Sequence, residues 1–164
     1  MRIRKERSHL CLLITFTLLF LCCNSENQTT IKNSSVQVIE ELLNDYYDTM
    51  TSRNWESYRE YFISDATLTT IWQAENDTIP KISTHSISEF IAQTKDGPDS
   101  QPIFEEKMLS SEIDEKNNLA QAWVRYKAKF GTTDNLIEWN GTDLFSFIRY
   151  NNEWKIVSIV FESE

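Results

Sequence analysis

Between Ser34 and Ser52 the apolar residues Val38, Ile39, Leu42, Leu43, Tyr46, Tyr47 and Met50 recur at three- and four-residue spacings. Glu40, Glu41, Asn44 and Asp48 fall largely on the other side. That period predicts an amphipathic helix, capped by Ser34 or Ser35 and ending near Ser52. Asn54 then caps a shorter helix with Trp55, Tyr58, Tyr61 and Phe62 as its apolar side. Residues 66–72, rich in Thr, Leu and Ile, read as a strand. Residues 76–84 read as a loop with room for a short strand near 79–82. Ser86-Ile87-Ser88-Glu89 is a capping-box pattern, opening a short helix through Ile91 that should end by Gly97-Pro98.

From residue 103 onward the period falls to two. Residues 104–113 form one predicted strand, followed by a turn over 114–118. Residues 119–130 alternate almost without fault, with Ala120, Ala122, Val124, Tyr126, Ala128 and Phe130 on one face. A turn over 131–134 leads to a strand over 136–150, and Asn151-Asn152 turns into a last strand over 154–161. Asn140-Gly141 fits either a hairpin turn or a bulge inside one long strand. Helices first and a long antiparallel meander after them make an α+β layout.

The opening Tyr46-x7-Asn54-Trp55-x6-Phe62-x2-Asp65-Ala66-Thr67-Leu68 resembles that of the nuclear transport factor 2-like superfamily. The ending, Phe145-x3-Arg149 followed by Trp154-Lys155-Ile156, resembles that superfamily's last hairpin. Residues 87–91, Phe104-Glu105-Glu106 and Asn118-Leu119-Ala120-x-Ala122-Trp123 resemble its lumazine-binding-like bacterial branch. The resemblance spans residues 36–162. It implies N-terminal helices packed in a strongly curved antiparallel sheet, a cone-shaped, cystatin-like α+β barrel enclosing a conical cavity. It implies little about activity, because such a scaffold carries enzymes, ligand binders and structural modules alike.

The N-terminus changes the picture of where this domain works. Basic residues 1–7 precede an apolar run over 10–21, a secretory signal too short for a comfortable membrane span. Cys22 and Cys23 follow, and the site resembles a lipobox, with Cys23 as the residue to be acylated. The expected organisation is a signal peptide over 1–22, a flexible tether over 23–34 and one domain over 35–164. The expected place is the bacterial cell envelope, with the chain held to the membrane by a lipid anchor. All three cysteines, Cys11, Cys22 and Cys23, lie in this segment, so the domain has no disulfide and no thiolate nucleophile.

The chain carries a formal charge of −9, and residues 1–22 contribute +3 of opposite sign, so the remainder stands at −12. Such a domain repels phosphate backbones, which argues against nucleic acid as a partner. No Gly-rich phosphate loop, serine-nucleophile elbow or metal-ligand spacing occurs, so no cofactor and no metal are expected. His85 is the sole histidine after residue 22.

Ketosteroid isomerase, an enzyme of the resembling superfamily, uses a helical Tyr and a protonated late-strand Asp as oxyanion donors, with a second Asp as base. Aligned through Asp65-Ala66-Thr67, these positions fall on Tyr46, Asp143 and Thr70. Threonine cannot abstract a proton from carbon at neutral pH, so the isomerase mechanism lacks its base. Asp143 shares strand parity with Phe145 and Phe147 and should point into the cone, where burial favours the neutral, proton-donating carboxyl.

Three readings follow. One is a ligand-binding or accessory module with Tyr46, Asp143, Trp72 and Phe145 around a small apolar or aromatic molecule. A second is a lyase or isomerase using acid–base chemistry from Asp143 with Tyr46 or His85. The third is a structural domain with a filled cone. In any of them Trp123, on a face otherwise carrying Arg125, Lys127 and Lys129, suits a homodimer through the outer sheet surface.

Overall fold

Ser34 accepts a hydrogen bond from the Gln37 amide and starts α1 (Ser35–Thr51). The helical spacing buries Ile39, Leu43, Tyr46, Tyr47 and Met50 on one side. The computed structural model describes residues 34–73 and 78–164, and the expectations for the signal segment, Cys23 and the tether up to residue 33 lie outside them. Asn54 caps α2 (Trp55–Arg59) by accepting from the Ser57 amide. Phe62, expected on this helix, instead begins β1 (Phe62–Trp72). The helix stops short of it because the Tyr61 carbonyl is taken by the Ile156 amide of the last strand, at 2.8 Å.

After β1 come β2 (Lys81–Ser86), α3 (Ile87–Gln93), β3 (Ile103–Lys116), β4 (Leu119–Thr132), β5 (Asn135–Tyr150) and β6 (Glu153–Ser163). Ser86 and Glu89 form the reciprocal capping box that opens α3. The strands make one sheet in the order β2-β1-β6-β5-β4-β3. Its one departure from the antiparallel meander is the pair β1–β6, which is parallel. The β3–β4 hairpin is tighter than its sequence suggested, and the last turn falls where the sequence placed it. β3 runs on to Lys116, so its turn is Asn117-Asn118, and the last turn is Asn151-Asn152 with φ of 51° and 64° at its two residues. Asparagine tolerates that left-handed backbone, which matches the twist of the flanking strands.

The strand β5 passes straight through Asn140-Gly141, in unbroken register with β4 from Leu119↔Ile148 to Thr132↔Asn135. Neither a hairpin nor a bulge interrupts that pairing. Gly141 is needed for a different reason: it lies opposite Tyr126, and a Cβ there would come within 2.3 Å of the phenol ring. The absent side chain lets that ring lie across the inner face.

Alternation does the rest. Ala120, Ala122, Val124 and Ala128 of β4 and Phe145 and Phe147 of β5 are buried with the apolar side of α1 in one core. Short side chains on β4 leave space for the aromatic residues of α1. Extra residues at Leu109 in β3 and Val157 in β6 shift the register and bend the sheet around the helices.

Candidate functional site

Register fixes which inward side chains share a row across the sheet. Val124, Asp143, Phe161 and Thr70 form one such row, on β4, β5, β6 and β1. One row along lie Tyr126, Gly141 and Ser163. Asp143 is 5% exposed, which makes it one of the few buried polar side chains among the described residues. Its Oδ2 accepts a hydrogen bond from the Tyr47 hydroxyl. Burial pushes the Asp143 carboxyl up to about 7, and the Tyr47 hydrogen bond pulls the other way. Burial and then the neighbouring Asp143 hold the Tyr47 phenol far above its usual range.

Tyr46, the adjacent helical residue, has a different partner. Its hydroxyl accepts from Tyr58 at 3.0 Å, which leaves its own proton free for an acceptor in the interior. The tyrosine that touches Asp143 is therefore Tyr47, one residue on. Successive helical residues project about 100° apart, and Tyr47 is the one turned toward Val124 and Asp143 on the sheet.

A cavity of about 140 Å³ opens between α1, α3 and the inner face of β3–β6. Tyr46, Asp143, Tyr126, Trp139 and Glu106 all contribute to its wall, together with apolar groups such as Phe104 and Phe161. Glu106 is a second carboxyl that sequence inspection did not single out. Burial, and then the charge of Asp143, push it up to about 8. Its backbone is pinned by the end of α1: the Glu106 amide donates to Thr51 Oγ1 at 2.8 Å, and that hydroxyl donates to the Glu106 carbonyl at 2.9 Å. Tyr126 is pushed up to about 12, chiefly by burial. The indole N–H of Trp139 is buried without a hydrogen-bond partner; it lies near enough to the Tyr126 hydroxyl to favour the phenolate, but without the geometry of a bond.

A family model described as "Putative lumazine-binding" matches residues 34–162, nearly all of the described chain. The protein belongs to this lumazine-binding-like family. A search of curated protein sequences returns no match. Among solved structures, an NTF2-like protein with a cystatin-like fold from Novosphingobium aromaticivorans is similar at 14% identity, with a TM-score of 0.61, over 78% of this chain and 80% of that one. A cystatin-like-fold protein from Nostoc punctiforme gives 14% identity and a TM-score of 0.62, over 80% and 93%. The β subunit of benzoate 1,2-dioxygenase from Burkholderia mallei gives 11% and 0.60, over 77% and 88%. At such identities the shared property is the fold: an NTF2-like, cystatin-like α+β cone.

Several other expected site residues of this lumazine-binding-like chain lie away from the cavity wall. Phe145 is fully buried and packs edge-on against Tyr46, with centroids 5.2 Å apart; it supports the wall from behind. Thr70 shares Asp143's row but is separated from it by Phe161 on β6, roughly 10 Å away at the spacing of two strands. His85 sits on β2 opposite Leu68, with Nε2 hydrogen-bonded to Ser83 Oγ at 2.8 Å. Trp72 closes β1, and its side chain lies outside the described part. Trp123 is on the outer face and half exposed. The signal for Glu106 was present in the sequence: it falls between Phe104 and Met108 at two-residue spacing, so strand parity turns it inward with them.

Proposed function

We propose that this domain binds a small, mainly apolar or aromatic molecule in the cavity beneath α1. The observation that supports it is the cavity itself. At about 140 Å³ it is close to the roughly 150 Å³ that accommodates benzene in an apolar protein interior. Its wall also offers polar groups that the fold leaves without partners, the Trp139 N–H and the Tyr46 proton. A few convergent polar groups in an apolar pocket are what small-molecule sites present. The family description points the same way. Native mass spectrometry of the full chain extracted from a bacterial envelope tests this reading. A retained small molecule that is lost when Tyr126→Trp fills the space supports it. A ligand-free wild type that also gives no binding to single-ring probes overturns it.

A second reading, acid–base catalysis, draws on the same cavity. Glu106 and Asp143 are two carboxyls pushed to different degrees by one environment, and such a pair can divide donor and acceptor roles. In this version Glu106 takes the place first assigned to Tyr46 or His85.

The setting is part of the proposal. The basic and apolar segments before Cys23 support export and acylation at that cysteine, which would hold the domain at the bacterial envelope. Labelling with a fatty-acid probe should be lost in Cys23→Ser. The half-exposed Trp123 lies in a row with Leu144 and Val160 on the outer sheet face. That apolar row, flanked by charges of both signs, supports a homodimer formed back to back.

A further inference from the structure

Of fourteen residues in the cavity wall, two are carboxylic acids, seven are aromatic and none is Lys, Arg or His. The groups facing Glu106 and Asp143 come from every surrounding element. They are Tyr46 and Tyr47 on α1, Tyr58 on α2, Tyr126 on β4, Trp139 on β5 and Ser163 on β6. None can carry positive charge. The basic side chains of β4 are paired away from the cavity, Lys129 with Glu105 at 3.0 Å, Lys127 with Glu138 at 2.7 Å and Arg125 with Glu164 at 3.2 Å, and Lys107, next to Glu106, is exposed on the opposite face of its strand.

Holding one buried carboxyl, Asp143, and one partly buried, Glu106, in a cavity without a counter-charge is unfavourable, and such groups are ordinarily paired. Here one of them is given a dedicated donor, since Tyr47 bonds Asp143 Oδ2 and so favours its ionised form. Oδ1 has no protein donor among the described residues. Aromatic faces around carboxylates also attract cations directly, through their ring quadrupoles. The chain's negative charge, −9 overall, raises the local concentration of cations at its surface.

We infer that the cavity takes a small organic cation: a single-ring or similarly compact amine whose ammonium group lies between Glu106 and Asp143. This deepens the small-ligand reading and depends on it. The missing positive charge is supplied by the ligand, while the rings of Tyr58, Tyr126 and Phe161 cover its carbon skeleton. Among the described residues no trio of acidic, His or Cys side chains is arranged to hold a metal ion, so the cation is organic.

The sign of the pH dependence follows. An ammonium ligand favours both carboxyls ionised, so its affinity rises as pH climbs through about 7 and about 8. A neutral ligand of the same shape has no such gain. The test uses the full chain with three probes of one shape, benzylamine, benzyl alcohol and benzoate, titrated calorimetrically at pH 6 and pH 8.5. Benzylamine should bind about tenfold or more tightly at the higher pH, benzyl alcohol should not tighten, and benzoate should not bind. Glu106→Gln should weaken benzylamine about tenfold at pH 8.5 and leave benzyl alcohol within about twofold. Benzyl alcohol or benzoate binding as tightly as benzylamine at pH 8.5 would overturn the charge assignment and leave the small-ligand reading standing. Displacement of benzylamine by millimolar Mg²⁺ would also overturn it, in favour of a metal site. If no probe binds, both readings fall. The wild-type series decides the matter even where Glu106→Gln does not fold.

Discussion

The Tyr47 hydroxyl reaches across the interior to Asp143, 96 residues later in the chain, and joins α1 to the middle of β5 by one buried hydrogen bond. Tyr46, its neighbour, is tied instead to Tyr58. The two tyrosines should therefore respond differently to loss of the hydroxyl. Tyr47→Phe removes the donor from a buried carboxyl and should cost about 1–3 kcal/mol. It should also raise the Asp143 pKa further, because the hydrogen bond that lowers it is gone. Carbon-detected NMR titration of the carboxyl reads the shift. A larger rise in Tyr46→Phe than in Tyr47→Phe would contradict the assignment of the pair.

Asp143 and Glu106 both titrate above their ordinary values of 3.8 and 4.5, at about 7 and about 8. The folded protein therefore holds protons that the unfolded chain has already released. The stability linked to these two groups is complete below about pH 4, declines as pH rises, and is gone above about pH 8. Thermal unfolding at pH 5 and pH 8.5 should show it. Glu106→Gln should lose roughly 10 °C or more less across that interval than the wild type. Equal declines in the two proteins would show that Glu106 does not hold its proton in the folded state.

Gly141→Ala places a methyl group 2.3 Å from the Tyr126 phenol. The ring must swing away, at a cost of about 1–3 kcal/mol. Tyr126→Ala removes the obstacle, so Gly141→Ala should cost much less in that background than in the wild type. Denaturant unfolding of the four proteins measures the coupling. Additive effects would mean that the glycine serves some purpose other than making room for Tyr126.

On the outer face, Trp123→Glu puts a charge in the middle of the row it shares with Leu144 and Val160. If the proposed homodimer forms there, this variant should be monomeric at concentrations where the wild type is dimeric, with little change in thermal midpoint. Sedimentation velocity distinguishes them. A dimer unaffected by Trp123→Glu would move the contact to another surface.

Most of the element order could be read from periodicity, because α1, β4 and β5 each bury one face against a single core. Ser34, Asn54 and the Ser86/Glu89 box announced helix starts through local chemistry that tertiary contacts did not override. Phe62 was misplaced because its partner, β6, lies almost a hundred residues away and no local pattern announces that pairing. Asn140-Gly141 has the composition of a turn, yet the ring of Tyr126 requires the glycine inside a continuous strand. Within the site, parity alone turned Asp143 inward. The choice between Tyr46 and Tyr47 depends on how α1 is rotated about its axis, since both residues are apolar-side and both are buried. Glu106 was overlooked because its neighbours Glu105 and Lys107 are outward and charged, which masks one inward acid in an otherwise solvent-like triplet.

The parallel contact between β1 and β6 ties the first strand of the domain to its last. Every other neighbouring pair in the sheet is local hairpin pairing or follows directly in sequence. During synthesis, β1 and β2 can pair as soon as they appear, but they remain cut off from the rest of the sheet until β6 emerges. The chain must therefore be held open along one edge for almost its whole length before the domain can close. A premature stop before Glu153 would leave β1 and β5 each with an unpaired edge, and such a fragment should aggregate rather than persist as a smaller version of the fold.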